Sequence, residues 1–179
     1  MKNRLVQFGR EQLFMHLFRE EKKVVLKQLD QLEDAIYSLQ FEGKMVFFSR
    51  IKTIESIMKS LKKKYKQHVD LDDRIIFPFL EGHIPRLSPI LRYLKAERQE
   101  FEDVFAVFDK ILLELIKKNE VLIRNDIIVR LKDKGVYLIC LMRSHIQIEE
   151  KSLYDGIFRE LHPDERSELV KKITQFSNK

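Results

Sequence analysis

His68-Val69-Asp70-Leu71-Asp72-Asp73-Arg74-Ile75-Ile76-Phe77-Pro78 and His145-Ile146-Gln147-Ile148-Glu149-Glu150-Lys151-Ser152-Leu153-Tyr154-Asp155 are two versions of one pattern. Each reads histidine, three residues, two acids, three residues and an aromatic. A histidine and an acid four positions apart share one face of a helix, with Cβ atoms about 5–6 Å apart. An imidazole and a carboxylate so placed can ligate one metal ion or two adjacent ones. A single such pair is common on a solvated helix and is equally read as an intrahelical ion pair. Two pairs with matching flanks, each in the apolar row of its helix, point to one shared inward site. Acids in an apolar interior need a compensating charge, and a metal ion supplies it.

Working outward, apolar residues recur at helical spacing along almost the whole chain. A first segment spans about 7–40, with Phe14, Leu17, Phe18, Val25, Leu29, Leu32 and Ile36 in a row that Glu21 interrupts. Gly43 ends it. A second spans about 45–80, with Ile51, Ile54, Met58, Leu61, Tyr65, His68, Asp72, Ile75 and Ile76. Gly82, Pro85, Ser88 and Pro89 then form a loop, with Ser88 as the expected cap of the third segment and Pro89 in its first turn. That segment runs to about 118 through Ile90, Leu94, Phe101, Phe105, Phe108 and Leu112, with Glu97 and Arg98 filling a gap in the row. Asn125 or Asp126 is expected to cap a fourth segment over about 127–161, with Leu131, Leu138, Met142, His145, Glu149 and Leu153. A short helix follows from Pro163 to about Phe176, with Asp164 and Glu165 favouring the positive end of its dipole. Four long amphipathic segments with short connections predict an all-α, antiparallel up-down-up-down four-helix bundle with a short C-terminal helix. No linker-like stretch divides it, so residues 1–179 are expected to form one domain.

Composition bounds the function. Only five glycines and four prolines leave little turn chemistry for an all-β fold. The net charge of +6 is spread among interleaved acids, so a nucleic-acid or membrane partner is not expected. The dense run Lys62-Lys63-Lys64-Tyr65-Lys66 reads as a solvated face, and Tyr65 as a bundle residue with its hydroxyl at the edge. The thirteen phenylalanines mostly follow the inner rows, as core and not as a stacking platform. The lone Cys140, between Ile139 and Leu141, reads as a small buried hydrophobe, and a reducing cytoplasm is the expected compartment. Met1–Arg10 has no apolar run of signal-peptide type, and no stretch approaches a membrane span. His16, His83 and His162 lie outside the repeat and read as structural or exposed.

The two motifs, with Ile76-Phe77-Pro78-Phe79-Leu80 after the first and Leu153-Tyr154 after the second, resemble the hemerythrin-like HHE family. The resemblance covers nearly the whole chain. It implies that His68, Asp72, His145 and Glu149 are ligands of a non-haem iron site, two ions per chain, with other divalent metals as alternatives and dioxygen as a further ligand. The chain departs from the family twice. Glu21, in Leu17-Phe18-Arg19-Glu20-Glu21, stands where the first helix usually has a histidine. Arg98, in Leu94-Lys95-Ala96-Glu97-Arg98, stands where the third helix usually has another, and a guanidinium cannot ligate a metal.

Three functions follow as expectations. The first is a metal-binding protein for oxygen, iron or redox binding or sensing. In the second, Glu21 and Glu97 or Glu102 join the two histidine–acid pairs in a carboxylate-rich di-iron oxidase or peroxidase. In the third, Arg98 replaces the metal electrostatically and the bundle is a metal-free interaction or sensory module. The sequence leaves open whether the chain is an enzyme, and it does not name a protein partner.

Overall fold

The computed structural model describes the backbone of residues 2–39, 44–117 and 121–177, and the side chains of 20–39, 46–117 and 125–177. Among these the chain is almost entirely helical, with no strand. The helices are α1 (Lys2–Ser38), α2 (Lys44–Leu71), α3 (Phe77–His83), α4 (Ser88–Lys117), α5 (Val121–Ile148), α6 (Asp155–Glu160) and α7 (Pro163–Ser177). A π-helical segment, Asp72–Ile76, joins α2 to α3, and a second, Glu149–Tyr154, joins α5 to α6. The second and fourth sequence segments are therefore continuous helical runs, each with one wide turn near its C-terminal end.

The ends of the helices correct three expectations. Helix α5 begins at Val121, so Asn125 and Asp126 are exposed residues inside it and not caps. The apolar run Val121-Leu122-Ile123 carries the helical pattern back past them. Ser88 has helical dihedrals (φ −52°, ψ −37°), whereas a cap residue is non-helical. The break lies earlier, at Ile84 (φ −130°, ψ 72°), and a 3-10 turn at Pro85–Leu87 leads into α4. His83 is the last residue of α3, not a loop residue; its Nδ1 is 2.8 Å from the Phe79 carbonyl and its ring stacks on Phe79 at 4.0 Å. At α7, the His162 backbone N–H donates to Glu165 Oε2 at 2.7 Å. The acid reaches back over the first turn as in a capping box, beyond its effect on the dipole.

The chain forms two compact units. One comprises Met1–Val24, Tyr65–Lys95 and His145–Lys179, the other Val25–Lys64 and Ala96–Ser144. In the second unit the rows Leu29, Leu32, Ile36; Ile54, Met58, Leu61; Phe101, Phe108; and Leu131, Leu138 are buried. Cross-links join the four helices around this core. Gln28 donates to Ser60 at 2.7 Å, Lys62 pairs with Asp109, Arg130 with Glu114 at 3.2 Å, and Arg143 with Asp30 at 2.7 Å. Glu114 pairs with Arg130 while Glu100 accepts from Tyr137, so α4 and α5 run antiparallel. The row of α5 has a glycine at its centre, Gly135, where a methyl group would overlap Ile36 Cδ1 and approach Phe108 at 3.2 Å. The glycine permits this close approach, at a helix-propensity cost of about 1 kcal/mol relative to alanine. Cys140 is exposed, contrary to expectation, because the buried row passes through Leu138, Ile139 and Met142 and turns position 140 outward.

In the first unit an apolar cluster holds Ile76, Phe77, Leu80, Leu91, Leu94, Leu153, Ile157 and Leu161. Leu169 and Ile173 of α7 dock into it. Gly156 lets α6 lie against Leu87, where a Cβ would meet Cδ1 at 3.0 Å. The first-helix residues Phe14, His16, Leu17 and Phe18 lie outside the described side chains.

Candidate metal centre

His68 lies in the last turn of α2 and Asp72 opens the π segment after it; His145 lies in the last turn of α5 and Glu149 opens the other. The repeat in sequence is thus a repeat in structure. Each wide turn begins at the acid of its motif, and in the first the Phe77 N–H bonds to the Asp72 carbonyl five residues back. Such π turns are rare and recur at functional sites. The turns separate the two acids of each pair: Asp72 and Glu149 are each 2% exposed, whereas Asp73 and Glu150 face solvent.

The two motifs converge within the first unit. His68 Nε2 lies 3.4 Å from Asp72 Oδ2, and His145 Nε2 lies 3.4 Å from Glu149 Oε1. His68 Nε2 reaches across to the same Glu149 oxygen at 2.8 Å. The imidazoles meet edge to face, 5.9 Å between ring centres. Nitrogen atoms of His68 and His145 and an oxygen of Glu149 all lie within 4.8 Å of one another, and Asp72 flanks them. Two neutral imidazole nitrogens with carboxylate oxygens form a donor set suited to iron, manganese or zinc. This donor set fits a cation.

The third element at the site is not the expected one. Glu21 is exposed, and its neighbour Lys22 turns inward, 9% exposed. The Lys22 Nζ lies 3.6 Å from Glu149 Oε2 and 3.9 Å from Glu150, donates to the Ile146 carbonyl at 3.4 Å and sits 4.3 Å over the Tyr154 ring. The reason is periodicity. Positions 22, 25, 29, 32 and 36 follow alternating steps of three and four, as do 21, 25, 29, 32 and 36 apart from the first step. Both are helical, and burial selects the first. Glu102 is exposed, and Glu97, 6% exposed, is buried in the second unit. Arg98 is half-buried in the second unit, and Lys22, His68 and His145 are in contact with Glu149.

Charge follows this geometry. Burial works to lower the pKa of His68, but Glu149 and Asp72 outweigh it and raise it from 6.5 to about 10. Burial would raise the Glu149 carboxyl, yet His68 and His145 hold it well below its ordinary range. Burial lowers the Lys22 ammonium against the pull of Glu149 and Glu150. Tyr154 is pushed well above 10 by burial first, then by Glu149 and Asp72, so its phenol stays protonated. Tyr65, expected with its hydroxyl at an edge, is half-buried with the hydroxyl oxygen enclosed.

The profile of the hemerythrin HHE cation-binding domain matches residues 13–157. The chain belongs to this family. No curated protein matches the chain closely enough to add to that assignment. The match contains both motifs and Lys22, so the ammonium lies within the hemerythrin domain itself and is not an appended feature. Among the described residues, no helix is long and apolar enough to cross a membrane.

Proposed function

We propose that the chain is a single-domain hemerythrin-like protein that binds iron through His68, Asp72, His145 and Glu149 and serves in oxygen, iron or redox sensing in the cytoplasm. The observation that carries this reading is the convergence of two imidazoles on one Glu149 oxygen, at 2.8 Å and 3.4 Å. An antiparallel four-helix bundle around this site accords with the helix order and with the antiparallel pairing of α4 and α5. Bound iron would supply reversible one-electron chemistry and affinity for dioxygen. The chain's own residues do the rest. His68 and His145 offer neutral nitrogens once His68 gives up its proton, so binding a cation releases a proton. Tyr154, held in its protonated form, keeps a further negative charge out of the site.

A second reading has its own support. Lys22 and protonated His68 already balance Asp72 and Glu149, as a metal-free sensory or interaction module would require. Elemental analysis of untagged protein, with absorption spectra before and after anaerobic Fe(II) and then air, separates the two. Bound iron with new near-ultraviolet bands, lost in His145→Ala, is expected. Protein that takes up no metal on reconstitution would overturn the cation reading in favour of the metal-free one.

A further inference from the structure

We infer that Lys22 is a tethered cation that fills the place of a second metal ion, so that the site holds one divalent ion per chain. This rests on the cation-binding reading above and deepens it. The two oxygens of Glu149 have separate employment. Oε1 faces both imidazoles, at 2.8 Å and 3.4 Å, while Oε2 faces the Lys22 ammonium at 3.6 Å. A carboxylate at the centre of a two-metal site bridges the ions with its two oxygens. Here the donor nitrogens gather on one oxygen, and an ammonium meets the other.

Lys22 is fixed in this position by more than Glu149. Its Nζ also contacts the Ile146 carbonyl, Glu150 and the face of Tyr154. An ammonium that is 10% exposed and held from four directions does not swing aside without leaving those partners unmet. Charge counting leads to the same result. The buried acids Asp72 and Glu149 carry two negative charges, and Lys22 offsets one. One divalent ion held by neutral imidazoles leaves the group one charge positive. Two would leave it three charges positive with little water to screen them, and unbalanced buried charge is strongly unfavourable. Among the described residues of the first helix, Glu21 is exposed and does not face the site.

The test is equilibrium binding of cobalt(II), read by visible absorption and by elemental analysis after gel filtration, for the parent, Lys22→Glu and Lys22→Met. Circular dichroism and melting confirm that each is folded. The parent should bind one ion. Lys22→Glu, which replaces the ammonium with a carboxylate, should bind two. Lys22→Met should bind the single ion at least tenfold more tightly, because the nearby positive charge is gone. Two ions in the parent would overturn the inference and leave the cation reading standing, whereas none in any of the three would remove the cation reading itself. One ion in a folded Lys22→Glu would show that Lys22 does not set the count. Should that variant not fold, unchanged or weaker binding by Lys22→Met overturns the role of the ammonium.

Discussion

Glu149 shows how much a single residue can organise. Both histidines and a lysine meet its two oxygens, while the neighbouring Glu150 is exposed. Its partner His68 makes stability depend on pH in a definite direction. The folded His68 pKa of about 10 lies above its ordinary 6.5, so its stabilising contribution is complete below about pH 6.5 and disappears as pH rises towards 10. Glu149 acts at the other end. Its lowered pKa gives a contribution present above about 4.5 and lost as pH falls through the depressed value. Lys22 opposes His68, since its burial cost is relieved as it loses its proton. Metal-free protein should therefore be most stable between about pH 4.5 and 6.5. Urea denaturation should show a loss of roughly 2–3 kcal/mol from pH 6 to pH 9. In His68→Gln that slope should flatten; an unchanged slope would assign the pH dependence to another group.

At the scale of the element, the wide turns at Asp72–Ile76 and Glu149–Tyr154 determine what the rest of each helical run can do. A π turn takes in an extra residue, so every side chain beyond it is rotated relative to a continuous α-helix, about 100° per residue. After Glu149 that rotation sets Leu153, Ile157 and Leu161 into the apolar cluster and Gly156 against Leu87. Deleting Ser152 restores ordinary spacing and should turn these residues away, with a loss of at least about 3 kcal/mol, comparable to truncating one or two core side chains. Ser152→Ala, which keeps the spacing, should cost under about 1 kcal/mol. A deletion variant that melts with the parent would show that the turn is incidental. These turns were not legible in the sequence, because period counting assumes one helical pitch throughout. The motif positions were legible, since the rows 61, 65, 68, 72 and 138, 142, 145, 149 keep steps of three and four up to the turn. The choice between Glu21 and Lys22 was not, because a step of three and a step of four are equally helical and only packing decides between them. The likeness of Glu21 to a ligand pointed the wrong way, and a lysine in a buried row was the signal available for the right one.

For the whole molecule, the division into two units has a measurable consequence. His68, Asp72, His145, Glu149 and Lys22 all belong to the unit formed by Met1–Val24, Tyr65–Lys95 and His145–Lys179. The other unit, Val25–Lys64 with Ala96–Ser144, relies on apolar rows and cross-links such as Arg143 to Asp30 and Glu33. A ligand stabilises only those openings that destroy its site, by about 2.7 kcal/mol at a hundred times its dissociation constant, or about a hundredfold in exchange rate. Cobalt(II) at that excess should therefore slow amide exchange about a hundredfold in Tyr65–Lys95 and His145–Glu160 wherever exchange proceeds by opening of the first unit. Amides of Ile54, Met58, Phe108 and Leu131 should slow only to the extent that they exchange through global unfolding. Hydrogen-exchange mass spectrometry with and without the metal reads both groups at once. Equal slowing in all segments would mean that the chain opens as one cooperative body, and the site would then stabilise the entire fold. Slowing confined to the first unit would place the cation's influence where its ligands are, and would make that unit the part whose order reports whether metal is bound.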